Sequence, residues 1–106
     1  MSIDCLLDRH WSKEYTCNDF ACEAWKHVTG KDLKKRLEDV LNGKGRFKKL
    51  KEPISPCIVF FKNGEKSPTH VGLFYCDKLL HLTPRGVQFV PLEIFAMQFK
   101  EVRFYT

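Results

Sequence analysis

The second half of the chain contains five short runs of strand-forming residues, and this pattern constrains the fold more than any other feature. Each run is bounded by turn or loop residues, and several alternate apolar and polar side chains. The runs are Cys57–Lys62, His70–Cys76, Leu79–Thr83, Val87–Pro91 and Glu101–Tyr105. Turns are predicted at Asn63-Gly64, Asp77-Lys78 and Pro84-Arg85-Gly86. Short strands joined by short connections predict an antiparallel sheet.

The first half of the chain has helical periodicity instead. Apolar residues recur at helical spacing over Cys17–Val28, with Gly30 as the predicted stop, and again over Lys31–Leu41. The polar, basic and proline-containing stretch Lys44–Pro56 indicates a loop. Helices that precede a run of strands predict an α+β domain, with N-terminal helices packed on a small antiparallel β-sheet. At 106 residues, the chain is expected to form one domain, 1–106.

The positive charge of the chain is concentrated in one segment. Between Lys26 and Lys51 there are ten Lys and Arg residues against three Asp and Glu, whereas the whole chain has a net charge of +5. Such a segment can bind an anionic polymer, lipid head groups or an acidic protein, or it can simply be a solvated surface. Because Phe47 is its main aromatic residue, base stacking is not expected, and neither is a nucleic-acid partner.

The cysteine count and the N-terminus indicate the compartment of synthesis. Five cysteines cannot form a closed set of disulfides, and the first fifteen residues lack the apolar core of a signal peptide. We therefore expect synthesis in the reducing cytoplasm with free thiols. No apolar run approaches the roughly 20 residues of a membrane-spanning helix, so no membrane span is predicted.

Cys17 is the candidate nucleophile. Thr16 followed three residues later by Asp19 predicts a capping box, which places Cys17 in the first turn of its helix. The free backbone N–H groups and the helix dipole there favour a thiolate. The alternative is that Cys17 is a small buried packing residue, as many free cysteines are.

Two histidines are candidate partners of this thiol. Alternation places His70 on the sheet face opposite Val71, while His81 in the next strand could orient the imidazole of His70. A two-residue turn at Asp77-Lys78 would leave the backbones of the two histidines about 13 Å apart, so a larger loop or a bulge would be needed to join them.

Four segments in order resemble the NlpC-type cell-wall peptidases, a papain-like family of cysteine peptidases. The family has a nucleophile motif at a helix start, an apolar strand, an H-V-G strand and a second histidine about a dozen residues later. This chain has T-C-N-D-F at 16–20, P-C-I-V-F-F at 56–61, H-V-G-L-F-Y at 70–75 and L-H-L at 80–82. It departs from the family in having Thr16 before the nucleophile and Asn18-Asp19 after it. The family's upstream tyrosine is also missing, so Trp11 or a backbone amide would have to assist the oxyanion.

The resemblance implies a papain-like fold and a cysteine hydrolase acting on peptide or amide bonds of bacterial peptidoglycan. In this interpretation Cys17 attacks the carbonyl, His70 transfers protons and His81 orients His70, with no cofactor. The expected partners are a peptidoglycan stem peptide and proteins of a phage tail or a secretion apparatus. The protein would act at the cell wall, as a virion component or as a secreted effector.

Three other functions compete with this interpretation. A zinc site would need Cys17 and Cys22 with His70 and His81, but C-x4-C and H-x10-H match no usual zinc spacing, so no metal is predicted. DNA binding through the basic segment is the second. The third is a non-catalytic structural or wall-binding module.

Overall fold

The computed structural model describes residues 3–42, 48–64 and 68–106. Lys44, Arg46 and Phe47 of the basic segment lie outside the described residues. The helices are a 3-10 turn at Asp4–Leu6, α1 (Cys17–Thr29), α2 (Lys34–Leu41) and α3 (Leu92–Ala96). The strands are β1 (Lys49–Leu50), β2 (Cys57–Lys62), β3 (His70–Tyr75), β4 (Lys78–Thr83), β5 (Gly86–Pro91) and β6 (Glu101–Tyr105).

All six strands form one antiparallel sheet in the order β1-β6-β2-β3-β4-β5. The strands dominate the regular structure. The predicted α+β, papain-like arrangement of N-terminal helices on a small sheet is therefore wrong. The sheet is larger than expected because Lys49–Leu50, in the predicted loop, pairs with the C-terminal strand, which itself inserts beside β2. Pairings between residues so far apart in sequence leave no local periodic signal.

Both faces of the sheet are covered by apolar side chains. The front face packs against α1, and its core includes Phe20, Trp25 and Leu73. The back face contacts α3, and its core includes Phe61 and Leu92. Because β2 contributes to both faces, its first five residues are all buried.

The turn between β3 and β4 differs from its predicted position by one residue. Tyr75 pairs with Lys78, so the turn residues are Cys76 and Asp77, which have φ values of 50° and 65°. Positive φ at both central residues is the geometry that two-residue hairpins favour. The corrected turn moves the register by two residues, and this change decides the geometry of the histidines.

Candidate functional site

Cys17 is the first residue of α1, as the capping-box pattern predicts. The Asp19 carboxylate accepts a hydrogen bond from the backbone N–H of Thr16 at 2.8 Å. The side chain of Cys17 is half-buried against the edge of the front-face core. The capping box therefore fixes the thiol where the first backbone N–H groups of the helix have no intrahelical acceptor.

His70 and His81 are in direct contact on the back face. His70 Nε2 lies 2.8 Å from His81 Nδ1. The register Leu73–Leu80 brings His81 beside Gly72, two residues from His70, rather than beside Phe74. No larger loop or bulge is needed. The predicted separation of the two histidines was wrong because the turn was placed at Asp77-Lys78 instead of Cys76-Asp77.

Gly72 makes room for this contact. A Cβ at this position would lie 2.6 Å from Leu79 Cδ1 and 3.1 Å from His81 Cβ. The end of the Leu79 side chain would have to move, and the contact with His81 Cβ is tight enough that β4 would have to shift by a few tenths of an ångström. The group that approaches Gly72 most closely is the neighbouring strand β4.

Aromatic rings surround the two imidazoles. The ring of Phe95 in α3 lies 4.3 Å from the His81 ring and 5.7 Å from the His70 ring, between centroids. The His81 side chain is fully buried, and that of His70 is partly buried. Burial lowers the pKa of His70 to about 4 and, together with the proximity of His70, that of His81 to about 4. Both rings are therefore neutral at pH 7.

Cys17 and His70 line the same cavity, which has a volume of about 390 Å³. It lies at the end of the sheet where β3 begins and β4 ends, and Trp11, Leu82, Phe95 and Phe99 supply most of its apolar wall. Within the described residues, no hydrogen bond joins Cys17 to His70. His81 is not among the residues that line the cavity and contacts His70, as an orienting residue would. The structure thus brings the three predicted site residues into one region.

The segment before α1 is held in place by a side-chain network. Arg9 donates to the Glu23 carboxylate from Nε at 3.1 Å and from Nη2 at 2.6 Å, and the Tyr15 hydroxyl donates to the same carboxylate. These interactions lower the pKa of Glu23, the bond from Arg9 having the largest effect. Trp11 lies in this segment with 42% of its surface exposed. Because Tyr15 is bound to Glu23, Trp11 is the aromatic residue of the segment that reaches the cavity.

Sequence reasoning missed the contribution of α3 to the site. No helix was predicted over Leu92–Ala96, and Phe95 and Phe99 were not singled out as site residues. Phe95 and Phe99 contact each other and Phe61 on the back face, with ring centroids 5.1–5.2 Å apart. The apolar residues of 92–99 were the available signal, but a five-residue helix is too short to establish a periodicity.

The other cysteines have different environments. Burial raises the pKa of Cys22 to about 11 and also raises that of Cys57, which is fully buried. Cys57 is a packing residue. Cys76 is exposed in the turn after β3, and Cys5 is exposed as well.

Part of the basic segment forms a groove at the β1 edge of the sheet. Lys49 and Lys51 line it together with Lys100 and Arg103 of the C-terminal region, and its volume is about 420 Å³. Arg103 forms an ion pair with Glu101 at 3.6 Å. The groove therefore joins basic residues that are far apart in the sequence.

Among the described residues, no group of three or more His, Cys, Asp or Glu side chains comes together in a way that could bind a metal ion. None of the helices in that part of the chain is long and apolar enough to cross a membrane.

Comparisons with protein-family models, curated proteins and solved structures found no match for this chain. The functional interpretation therefore depends on the geometry of the cavity and on the residues that line it.

Proposed function

We propose that this protein is a cysteine hydrolase in which Cys17 is the nucleophile, His70 the general base and acid, and His81 the residue that orients His70. One observation carries the proposal. Cys17 and His70 line the same cavity, and His70 Nε2 is bonded to a fully buried histidine at 2.8 Å. With Nε2 engaged, Nδ1 is the nitrogen of His70 that remains for the thiol.

In the first step, the thiol attacks the carbonyl carbon of the substrate. Because His70 is neutral at pH 7, its Nδ1 can accept the Sγ proton as the bond from Sγ to carbon forms. The carbonyl oxygen becomes an oxyanion, which the backbone N–H groups of Cys17 and Asn18 in the first turn of α1 would stabilise. The bond from carbon to the leaving nitrogen then breaks, and His70 gives its proton to the amine.

In the second step, water releases the acyl group. His70 Nδ1 accepts a proton from water as the hydroxide oxygen bonds to the thioester carbon. The bond from carbon to Sγ then breaks, and the thiolate takes the proton back from His70. The cycle consumes one water molecule and returns both side chains to their starting protonation states.

The substrate we propose is a peptide or amide bond of bacterial peptidoglycan. This choice follows from the resemblance of the four sequence segments to NlpC-type cell-wall peptidases. The protein would be made in the cytoplasm and act at the cell wall, as part of a phage tail or as a secreted effector. The apolar wall formed by Trp11, Phe95 and Phe99 would contact the acyl side of the substrate.

A non-catalytic structural or wall-binding module is the second candidate. The observation that favours it is the lack of a hydrogen bond between Cys17 and His70 within the described residues. In a binding module, Cys17 would react as an ordinary thiol and the cavity would bind a ligand without cleaving it. The two candidates therefore differ in a measurable property of one side chain.

Alkylation by iodoacetamide at pH 7 separates these candidates. Because Cys5 and Cys76 are exposed whereas Cys17 is half-buried, an ordinary Cys17 thiol would react no faster than they do. In the hydrolase we expect Cys17 to react at least roughly tenfold faster than both. A His70→Ala substitution should remove this advantage. A wild-type Cys17 that reacts no faster than Cys5 and Cys76 would rule out the hydrolase.

Digestion of purified peptidoglycan tests the substrate. Mass analysis should detect released stem-peptide fragments with wild type and with Cys22→Ala, which removes a thiol outside the cavity. Cys17→Ala should release none above background. Full hydrolysis by Cys17→Ala would exclude Cys17 as the nucleophile. An activated Cys17 without fragment release would keep the chemistry but reject peptidoglycan as the substrate.

A further inference from the structure

The His81 ring has a partner on only one of its two nitrogens. Nδ1 is bonded to His70, whereas Nε2 is buried and has no hydrogen-bond partner among the described atoms. The whole side chain is inaccessible to solvent, so bulk water does not satisfy this nitrogen. A buried ring nitrogen without a partner is uncommon, and each case calls for an explanation.

Gln88 is the polar residue closest to this nitrogen in the register of the sheet. It lies directly opposite His81 in the pairing of β4 with β5. Residues directly opposite in an antiparallel pair point to the same face, with Cβ atoms about 5 Å apart. The Gln88 side chain, which is partly buried, interacts with His81 and raises its pKa against the larger effect of burial. Gln88 makes no hydrogen bond to Nε2 in this conformation, although the strand pairing places it next to His81.

The neutral histidine pair has two possible proton arrangements. In the first, His70 donates from Nε2 to His81 Nδ1, both rings carry their proton on Nε2, and His70 Nδ1 has a free lone pair. In the second, His81 donates from Nδ1 to His70 Nε2, and both rings carry their proton on Nδ1. Only the first arrangement leaves His70 Nδ1 able to accept a proton from the cavity.

We propose that Gln88 selects the first arrangement by accepting a hydrogen bond from His81 Nε2–H through its carboxamide oxygen. A row of three side chains, Gln88, His81 and His70, then fixes which nitrogen of His70 faces the cavity as a base. Gln88 is a positioning residue that acts through His81. The role of Gln88 in catalysis rests on the proposed hydrolase function, whereas the proton positions on His81 and His70 do not depend on that function.

Imidazole ¹⁵N chemical shifts of the full chain at pH 7 test this directly, because they report which nitrogen of each ring carries the proton. In wild type we expect both rings to carry it on Nε2. Gln88→Met removes the acceptor at similar volume, so both rings should shift toward the Nδ1 form and Cys17 alkylation should slow roughly tenfold. Gln88→Glu keeps an acceptor and should retain the wild-type tautomer. Gln98→Met, at an exposed position, is the matched control and should change nothing.

Nδ1 protonation in wild type, or an unchanged tautomer in Gln88→Met, would overturn the proposal. The wild-type measurement stands even if Gln88→Met fails to fold, because it needs no variant. Failure of this inference is distinct from failure of the hydrolase. If Cys17 reacts fast but the tautomers do not depend on Gln88, only the role of Gln88 is rejected. If Cys17 reacts like an ordinary thiol, the hydrolase is rejected and the tautomer result still stands.

Discussion

The buried histidine pair should make the protein sensitive to mild acid. Burial lowers the pKa of both His70 and His81 from 6.5 to about 4. Unfolded histidine takes up a proton near 6.5, so between these values the unfolded chain binds more protons than the folded one. The stability associated with the neutral pair is therefore fully present above the unfolded value, and it is lost as the pH falls from about 6.5 toward 4.

The size of the loss follows from these two values. A single histidine with a pKa of 6.5 unfolded and about 4 folded contributes a loss of about 2 kcal/mol between pH 7 and pH 5. Since part of the lowering at His81 comes from its neighbour His70, we expect about 2–4 kcal/mol for the pair rather than a strict sum. Glu23, whose pKa is lowered, loses its contribution only below its unfolded value of 4.5, outside this interval. The predicted loss is a large part of the 5–15 kcal/mol typical of a domain.

Urea unfolding at pH 7 and pH 5 measures this loss. His70→Asn should reduce the loss by about 2 kcal/mol, because it removes one titrating ring and its effect on His81. His70 is only partly buried, which makes this variant more tolerable than a replacement of His81. His10→Asn is the matched control, since His10 is exposed, and it should behave like wild type. The reasoning fails if wild type loses less than about 0.5 kcal/mol, or if His70→Asn loses as much as wild type.

Three further substitutions test the geometry of the site. Gly72→Ala should destabilise the fold by about 1–3 kcal/mol in urea unfolding, because its Cβ would lie 3.1 Å from His81 Cβ and 3.3 Å from the backbone oxygen of Leu80, so that β4 would have to shift. Wild-type stability would contradict the close approach. Asp19→Ala should cost about 1 kcal/mol by thermal unfolding, since it removes the acceptor of the Thr16 N–H bond at 2.8 Å; an unchanged melting temperature would show that the capping box is dispensable. If the protein hydrolyses peptidoglycan as proposed, Trp11→Ala should raise the KM severalfold with little effect on kcat, because it removes part of the cavity wall. An unchanged KM would mean that the substrate does not contact this wall.

Local patterns predicted the positions of most elements. The predicted run Cys57–Lys62 is β2, and the predicted helix Cys17–Val28 ends one residue before α1 does. The prediction that His70 faces away from Val71 is confirmed, since Val71 belongs to the front-face core whereas His70 contacts the back-face ring of Phe61. Alternation and helical spacing are properties of the chain itself, so they can be read without knowing what it packs against.

Strand pairing between distant parts of the chain could not be predicted from local patterns. The chain forms a larger sheet than predicted because the short β1, within a proline-containing loop, finds its partner in β6, more than fifty residues away. The predicted turn, Asp77-Lys78, was one residue too late, and this error alone placed the backbones of the two histidines about 13 Å apart in the prediction. The position of the turn depends on which two residues adopt positive φ while β3 and β4 both stay in register with their neighbouring strands. That condition involves the whole sheet and not the turn residues alone.

The sequence by itself determined the chemistry available to this protein: a cysteine at a capped helix start and two histidines in neighbouring strands. Each depends only on residues close together in the chain. The tertiary structure decided that His81 contacts His70 rather than Phe74, and that Trp11 and Phe95 line the cavity. It also decided that Gln88 pairs with His81 in the sheet. These contacts join segments that meet only when the sheet is assembled, because they are determined by the strand register and by the packing of both faces of the sheet.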